Sequence, residues 1–216
     1  MRLLLLLPAL AGAETIDRIA ITAGNHAITS SELELQMRMT AFLNGDPLDL
    51  GDAARRRASE RLVEQALIRR EMELSRYPRP EAFEAQPLLA DLRKDPRFAS
   101  EESYRAQLAR YGVSEEELLR HLLLQLTTLR FIEYRFRSGV QVQDSDIREY
   151  YEEEFLPAWR ERSAGQPPSF EESREQIESI LEARAVNRAL DRWLKQAREQ
   201  TRIRFHREAV PEDKVQ

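Results

Sequence analysis

The 216-residue chain has no cysteine and only seven glycines, and these shortages exclude several classes of protein. The lack of cysteine excludes a disulfide scaffold, a cysteine-ligated zinc site, a thiol nucleophile and a bacterial lipid-anchor cysteine. There is also no basic excess: the formal net charge of -5 argues against a general nucleic-acid binder. Apolar residues still make up 42% of the chain, which is enough to build a core. We therefore expect one domain, or one domain with a small appendage.

The most purely aliphatic run of the sequence lies at its N-terminus and predicts export. Arg2 is followed by five leucines (Leu3–Leu7) and then by Ala11-Gly12-Ala13. A basic residue, a short apolar run and an A-x-A cleavage site together are typical of a secretory signal peptide, here residues 1–13. The run is shorter than the roughly 20 apolar residues that span a bilayer, and no later segment is a membrane-spanning candidate. The sequence thus predicts an exported, soluble protein.

The two ends of the chain after this leader have the pattern of strands. Residues 16–23 alternate and are rich in β-branched side chains, Gly24-Asn25 suits a tight turn, and His26–Thr29 form a second strand. Residues 201–206 alternate again and predict a third strand. Because so short a hairpin needs further support, we expect the C-terminal strand to pair with it.

The middle of the chain has the pattern of helices. Ser31 with Glu34, and Ser114 with Glu117, have the spacing of capping boxes at helix starts. Gly112 is placed to end a helix in the left-handed conformation. The helix that follows Ser114 has an apolar stripe wider than one contact needs, so we expect it at the centre of the core.

These elements predict a mainly α fold, a helical core domain with a small β-sheet made from an N-terminal hairpin and a C-terminal strand. The domain should span residues 14–207, and residues 208–216 should form a polar tail. The clearest loop is 163–169, which contains glycine, serine and two prolines.

Three segments, taken in their order and spacing, resemble the SurA-type periplasmic chaperones. Residues 16–33, with Asp17-Arg18-Ile19 and Ser31-Glu32-Leu33, resemble the family's opening after its signal peptide. Residues 142–151 resemble its V-S-D-x-[ED]-[IV]-x-x-Y-Y helix, and residues 170–205 resemble its closing helix and strand. The resemblance implies a periplasmic location and an ATP-independent chaperone (a holdase) that acts in the assembly of outer-membrane proteins.

The resemblance fails where the family normally carries parvulin-type prolyl isomerase domains. Here the corresponding junction is only residues 162–169. A parvulin site would need its own strands, glycine-rich turns and paired histidines, and of the three histidines only His121 lies in the helical body. We expect the isomerase to be absent and assign no catalytic residue, cofactor or metal.

Other signals of chemistry in the sequence have simpler explanations. The glutamate triplets at 115–117 and 152–154 fit solvated helix faces, because acid/base catalysis also needs burial and a partner. His26 and His206 could approach each other if the terminal strands pair, but two histidines make an incomplete zinc site.

Methionine and aromatic residues of the first helices are the candidates for binding polypeptide. Thioethers are flexible and rings offer large contact areas, so both adapt to varied partners. The candidate set is Met37, Met39, Phe42, Leu43, Phe98, Tyr104 and Tyr111. The alternative is that these residues fill the core between helices.

Three functional hypotheses follow. The first is a holdase whose partners are unfolded or extended polypeptides, with outer-membrane β-barrel proteins as clients, and which binds no nucleic acid. The second is the prolyl isomerase associated with the family. The third is a scaffold or subunit dedicated to one specific partner.

Overall fold

The computed structural model describes residues 17–162 and 165–210, and its fold is mainly α with one small antiparallel sheet. The strands are β1 (Ile19–Ala23), β2 (His26–Thr29) and β3 (Ile203–Phe205), in the order β2-β1-β3. The predicted fold class is confirmed. The predicted signal peptide over residues 1–13 lies outside the described residues.

The sheet joins the two ends of the domain. Strand β1 pairs with β2 on one side and with β3 on the other, and Ala23 stands opposite both His26 and Ile203. Gly24 has a φ of 63°, which allows the tight turn between β1 and β2, and its N–H donates to the carbonyl oxygen of Arg202 at 2.9 Å. The predicted pairing of the C-terminal strand with the hairpin is therefore confirmed.

Helices make up most of the rest of the described chain. They are α1 (Ser30–Asn44), α2 (Asp52–Leu74), α3 (Gln86–Leu92), α4 (Glu101–Tyr111), α5 (Glu115–Phe136), α6 (Asp144–Tyr150), α7 (Leu156–Arg162) and α8 (Phe170–Glu199). A π-helical turn over Tyr151–Phe155 joins α6 to α7. None of the described helices combines the length and apolar character needed to cross a membrane.

The two predicted capping boxes have different outcomes. Ser114 and Glu117 cap α5 as predicted. The prediction for α1 is wrong by two residues, because Thr29 is the last extended residue and Ser31 is already helical. The hydroxyl of Thr29 accepts from the backbone N–H of Glu32 at 3.2 Å, and the Glu32 carboxylate accepts from the backbone N–H of Thr29 at 2.8 Å.

The core has two main clusters. The first lies between α1, α3, α4 and α5, and the second packs the sheet against α1, α2 and α8. Leu118 on α5 and Leu33 on α1 are fully buried in the first and second cluster respectively. The second cluster also contains Val210, which is 5% exposed, so the packed domain extends past the predicted boundary at Arg207.

Helix α6 and the π-helical turn pack against α8. Ile147 on α6 and Ile177 on α8 are buried, and the ring of Tyr151 stacks on Phe155 and meets Phe170 edge-on at a centroid distance of 5.5 Å. The predicted loop at 163–169, described from residue 165 on, closes this hairpin of helices.

Candidate polypeptide-binding groove

The structure brings most of the candidate peptide-binding residues together, but inside the core rather than on an open surface. Met39, Phe42, Phe98, Tyr104 and Tyr111 belong to the first core cluster, and none of them is more than 5% exposed. The ring of Phe42 stacks on Phe98 with centroids 5.4 Å apart and meets Tyr111 edge-on at 5.9 Å. These contacts occupy the ring faces that a bound polypeptide would need.

The two remaining candidates do not add an open surface. Met37 is 5% exposed and packs in the second cluster, near the sheet. Leu43 is half-buried against the first cluster. In this conformation the seven residues pack within or against the core.

A groove of two adjacent compartments lies between α1, α2, α5 and strand β2. The narrow compartment has a volume of about 190 Å³ and the wide compartment a volume of about 710 Å³. The two linings share His26, Arg69, Arg120 and Leu124, so the compartments lie side by side. On α2 the lining runs from Leu62 to Glu73, which is about 16 Å of helix and matches about five residues of extended chain.

Apolar side chains form much of the groove wall. The narrow compartment is lined by Leu35, Met39, Leu62, Ala66 and Leu124, and the wide one by Met72, Tyr77, Pro80, Leu123 and Leu124. The ring of Tyr77 is held edge-on against the buried Phe131, with centroids 5.2 Å apart. These walls offer contacts to apolar side chains of a bound chain.

Strand β2 borders the narrow compartment through His26, Ala27 and Ile28. Within the described sheet, β2 is an edge strand whose one strand neighbour is β1. An unpaired edge presents backbone N–H and C=O groups to which an extended chain can add as a further strand. The groove thus combines apolar walls with a backbone template.

The two carboxylates of the narrow compartment are engaged in helix caps. Glu32 caps α1, as described above. Glu117 accepts from the backbone N–H and from the hydroxyl of Ser114, each at 2.7 Å, and these hydrogen bonds hold the pKa of Glu117 below its usual range. Both carboxylates therefore have a structural role.

The wide compartment is cationic. Arg69, Arg76, Arg79, Arg120 and Glu73 line it, which gives a formal net charge of +3 with His26 neutral, in a chain whose total is -5. Within the described parts of the chain, the guanidinium groups of Arg69, Arg76 and Arg79 have no hydrogen-bond or ion-pair partner. Arg120 pairs with Glu116 at 3.0 Å on the exposed face of α5.

Arg76 holds a backbone conformation that favours glycine. Its φ is 53°, and it follows Ser75, the residue that caps the end of α2. The N–H of Tyr77 donates there to the carbonyl oxygen of Met72 at 2.9 Å. This is the Schellman arrangement, and α1 and α4 end in the same way with Gly45 and Gly112 in the left-handed position. An arginine there is less favourable by about 1 kcal/mol than a glycine.

The histidines do not form a common site. His121 is half-buried in the narrow compartment, and burial lowers its pKa, so the ring is neutral at pH 7. His26 and His206 lie on opposite sides of β1, against the expectation that they approach each other. His26 lies 3.9 Å from Glu73, and His206 lies 3.2 Å from the Thr22 hydroxyl. In the described ranges no three His, Cys, Asp or Glu side chains are grouped to hold a metal ion.

Of the seven peptide-binding candidates, Met39 alone lines the groove, and the other groove residues were missed in the sequence. One signal pointed to some of them. The apolar stripe of α5 is wider than one contact needs, and the structure shows why: Leu118 and Leu122 face the core, whereas Leu123 and Leu124 line the groove. The groove arginines gave no signal, because exposed arginines are common on any charged helix.

Comparison with known proteins does not assign a family. A scan against protein-family models finds no match, and a search of the curated proteins finds no relative.

Proposed function

We propose that this protein is a periplasmic, ATP-independent chaperone that holds extended segments of unfolded polypeptides, including outer-membrane β-barrel proteins. The observation that supports this function most directly is the position of the β2 edge beside the apolar walls of the groove. The periplasmic location rests on the leader pattern of residues 1–13 and on the resemblance to the SurA-type chaperones.

Such a groove suits binding with little sequence selectivity. Backbone hydrogen bonds to β2 would be available to almost any extended segment, since every residue but proline offers both a donor and an acceptor. Alternate side chains of that segment would then contact the walls formed by Leu62, Leu123 and Leu124. The same arrangement fits many clients.

The size of the groove predicts weak binding. A segment of about five residues can place two or three apolar side chains against the walls, and each contributes about 1.5–3 kcal/mol when fully buried. Ordering the segment offsets part of this gain. We expect dissociation constants between about 1 µM and 1 mM for single segments, which permits release without nucleotide hydrolysis.

The test is suppression of aggregation. A urea-denatured β-barrel protein is diluted into buffer with near-stoichiometric amounts of the chaperone, and light scattering is followed. We expect the wild-type protein to reduce scattering. If a protein shown to be folded by circular dichroism leaves the scattering unchanged, the proposed function is wrong.

A matched pair of variants locates the activity in the groove. Leu124 lines both compartments, whereas Leu129 lies on the same helix, is 61% exposed and is not part of the lining. Leu124→Gln should weaken suppression, and Leu129→Gln should leave it unchanged. Equal loss in both variants would place the activity outside the groove.

A further inference from the structure

We propose that the wide compartment of the groove selects extended segments that carry acidic side chains. The inference rests on the proposed function, because it names what the same groove prefers. Four arginines face one glutamate there, in a protein of negative net charge. Complementary charge favours encounter with an acidic segment and sets its register.

The arginines are available to a ligand. Glu73 is four residues after Arg69 on α2. At this spacing an ion pair is less favourable when the basic residue comes first in the helix than when the acidic residue does. The Glu73 carboxylate instead lies nearest to His26, at 3.9 Å. Within the described chain, the guanidinium groups of Arg69, Arg76 and Arg79 therefore remain free to form bidentate ion pairs with carboxylates.

The backbone of Arg76 is an independent indication of function. Residues in sparsely populated backbone conformations are found where the surroundings impose them and are enriched at binding sites. At the matching ends of α1 and α4 the chain uses glycine, which has no such penalty. The wide compartment instead has an arginine whose side chain lines the groove.

The narrow compartment excludes a uniform polyanion as the preferred ligand. Its charged lining consists of Glu32 and Glu117 with Arg69 and Arg120, so its formal net charge is zero with the histidines neutral. A nucleic acid strand would bring phosphates against the two carboxylates and leave the β2 edge unused. A polypeptide with acidic residues at one end and apolar residues along its length fits both compartments.

The test compares three fluorescein-labelled peptides of about ten residues, twice the length that the groove holds. They share their leucine and tyrosine positions and differ only at the intervening positions, which are aspartate, glutamine or lysine. Fluorescence anisotropy should give the tightest binding for the aspartate peptide. Its advantage should shrink when the salt concentration rises from about 0.05 to 0.5 M, since these charges are exposed to solvent.

Variants assign the preference to the arginines. Arg69→Gln and Arg79→Gln should each weaken binding of the aspartate peptide by about two- to five-fold, in line with exposed ion pairs. Binding of the glutamine peptide, which has no carboxylates at these positions, should weaken less. Arg188→Gln and Arg192→Gln, exposed on α8 outside the groove, are the controls and should change neither peptide. Arg76→Gly should bind the aspartate peptide less tightly and yet melt about 2 °C higher. A loss of binding in this variant cannot then be attributed to misfolding.

The outcomes separate the two proposals. Equal binding of the aspartate and glutamine peptides overturns the acidic preference and leaves the chaperone function standing. Binding of none of the three peptides overturns both. Tighter binding of a single-stranded oligodeoxynucleotide than of the aspartate peptide also overturns the preference for acidic polypeptide segments, because the groove would then bind any polyanion by its negative charge.

Discussion

Gly45 and Arg97 together hold the end of α1, and their replacement should show strong coupling. The Arg97 guanidinium donates to the carbonyl oxygens of Phe42 at 3.1 Å and Leu43 at 3.0 Å and pairs with Asp95 at 2.7 Å. Helix α1 has no basic residue in its own last turn, so Arg97 supplies the positive charge that its C-terminus favours. A Cβ added to Gly45 would lie 2.5 Å from the Arg97 Nη1 atom.

The magnitude follows from two separate effects. Gly45 has a φ of 74°, and an alanine there is less favourable by about 1 kcal/mol for backbone reasons alone. The new methyl group also displaces the Arg97 guanidinium, which then loses its hydrogen bonds to the end of α1. This loss adds about 1–2 kcal/mol to the destabilisation. The value is small because the Arg97 side chain is 34% exposed to solvent. We expect Gly45→Ala to lower the free energy of unfolding by about 2–3 kcal/mol in the wild-type background.

A double-mutant cycle tests this account. In the Arg97→Ala background the Gly45→Ala change should lower the free energy of unfolding by only about 1 kcal/mol, which leaves a coupling of about 1–2 kcal/mol. Gly112→Ala is the matched control, since Gly112 is also left-handed but a Cβ there would meet Arg38 at an ordinary 3.5 Å. Urea denaturation of each variant gives the values. Additivity of Gly45→Ala and Arg97→Ala within about 0.5 kcal/mol would refute the reasoning.

Two further predictions concern titrating groups. The buried Tyr104 hydroxyl has no hydrogen-bond partner within normal distance in the described structure, and burial together with the neighbouring Glu115 carboxylate raises its pKa to about 12. Tyr104→Phe should therefore keep or raise stability at pH 7 by up to about 1 kcal/mol. Above pH 10 the Tyr104→Phe variant should lose less stability than the wild type, because the phenol ionises there only in the unfolded wild-type chain. A steeper loss of stability in the variant would contradict the raised pKa of Tyr104. Burial also lowers the pKa of His121, so the wild type should lose stability as the pH falls below about 6.5. His121→Gln should lose less stability over the same pH range. If urea denaturation shows the same pH dependence of stability for both proteins, His121 is solvated.

The fold was predictable from the sequence because its signals are local. Alternation marked the strands, and Ser114 and Gly112 marked helix ends through hydrogen bonds made within a few residues. The error at Ser31 has the same origin: Thr29 and Ser31 both fit a capping box, and the extended backbone at Thr29 decides between them. Pairing of the terminal strand followed from the instability of an isolated hairpin.

The site was not predictable in the same way, because it depends on which face of each helix is covered. Phe42 and Tyr111 are residue types that suit a peptide-binding surface, but their rings pack against each other and are buried in the core. Leu123 and Arg69 have nothing unusual in the sequence and become groove residues only because α2 and α5 leave space between them. Sequence pattern shows that an apolar face exists, and packing decides whether it stays open.

The strand order of the sheet explains why a groove is compatible with a closed domain. The C-terminal strand β3 pairs with β1, and β1 lies between it and β2. Had β3 added to β2 instead, the edge beside Ala27 and Ile28 would be occupied and the narrow compartment would lose its backbone template. Because closure uses one side of β1 and the groove uses the far side of β2, a bound segment does not compete with the contact that joins the two ends of the domain. Under the proposed function, the sheet would accept a fourth strand from a client and keep its own third strand.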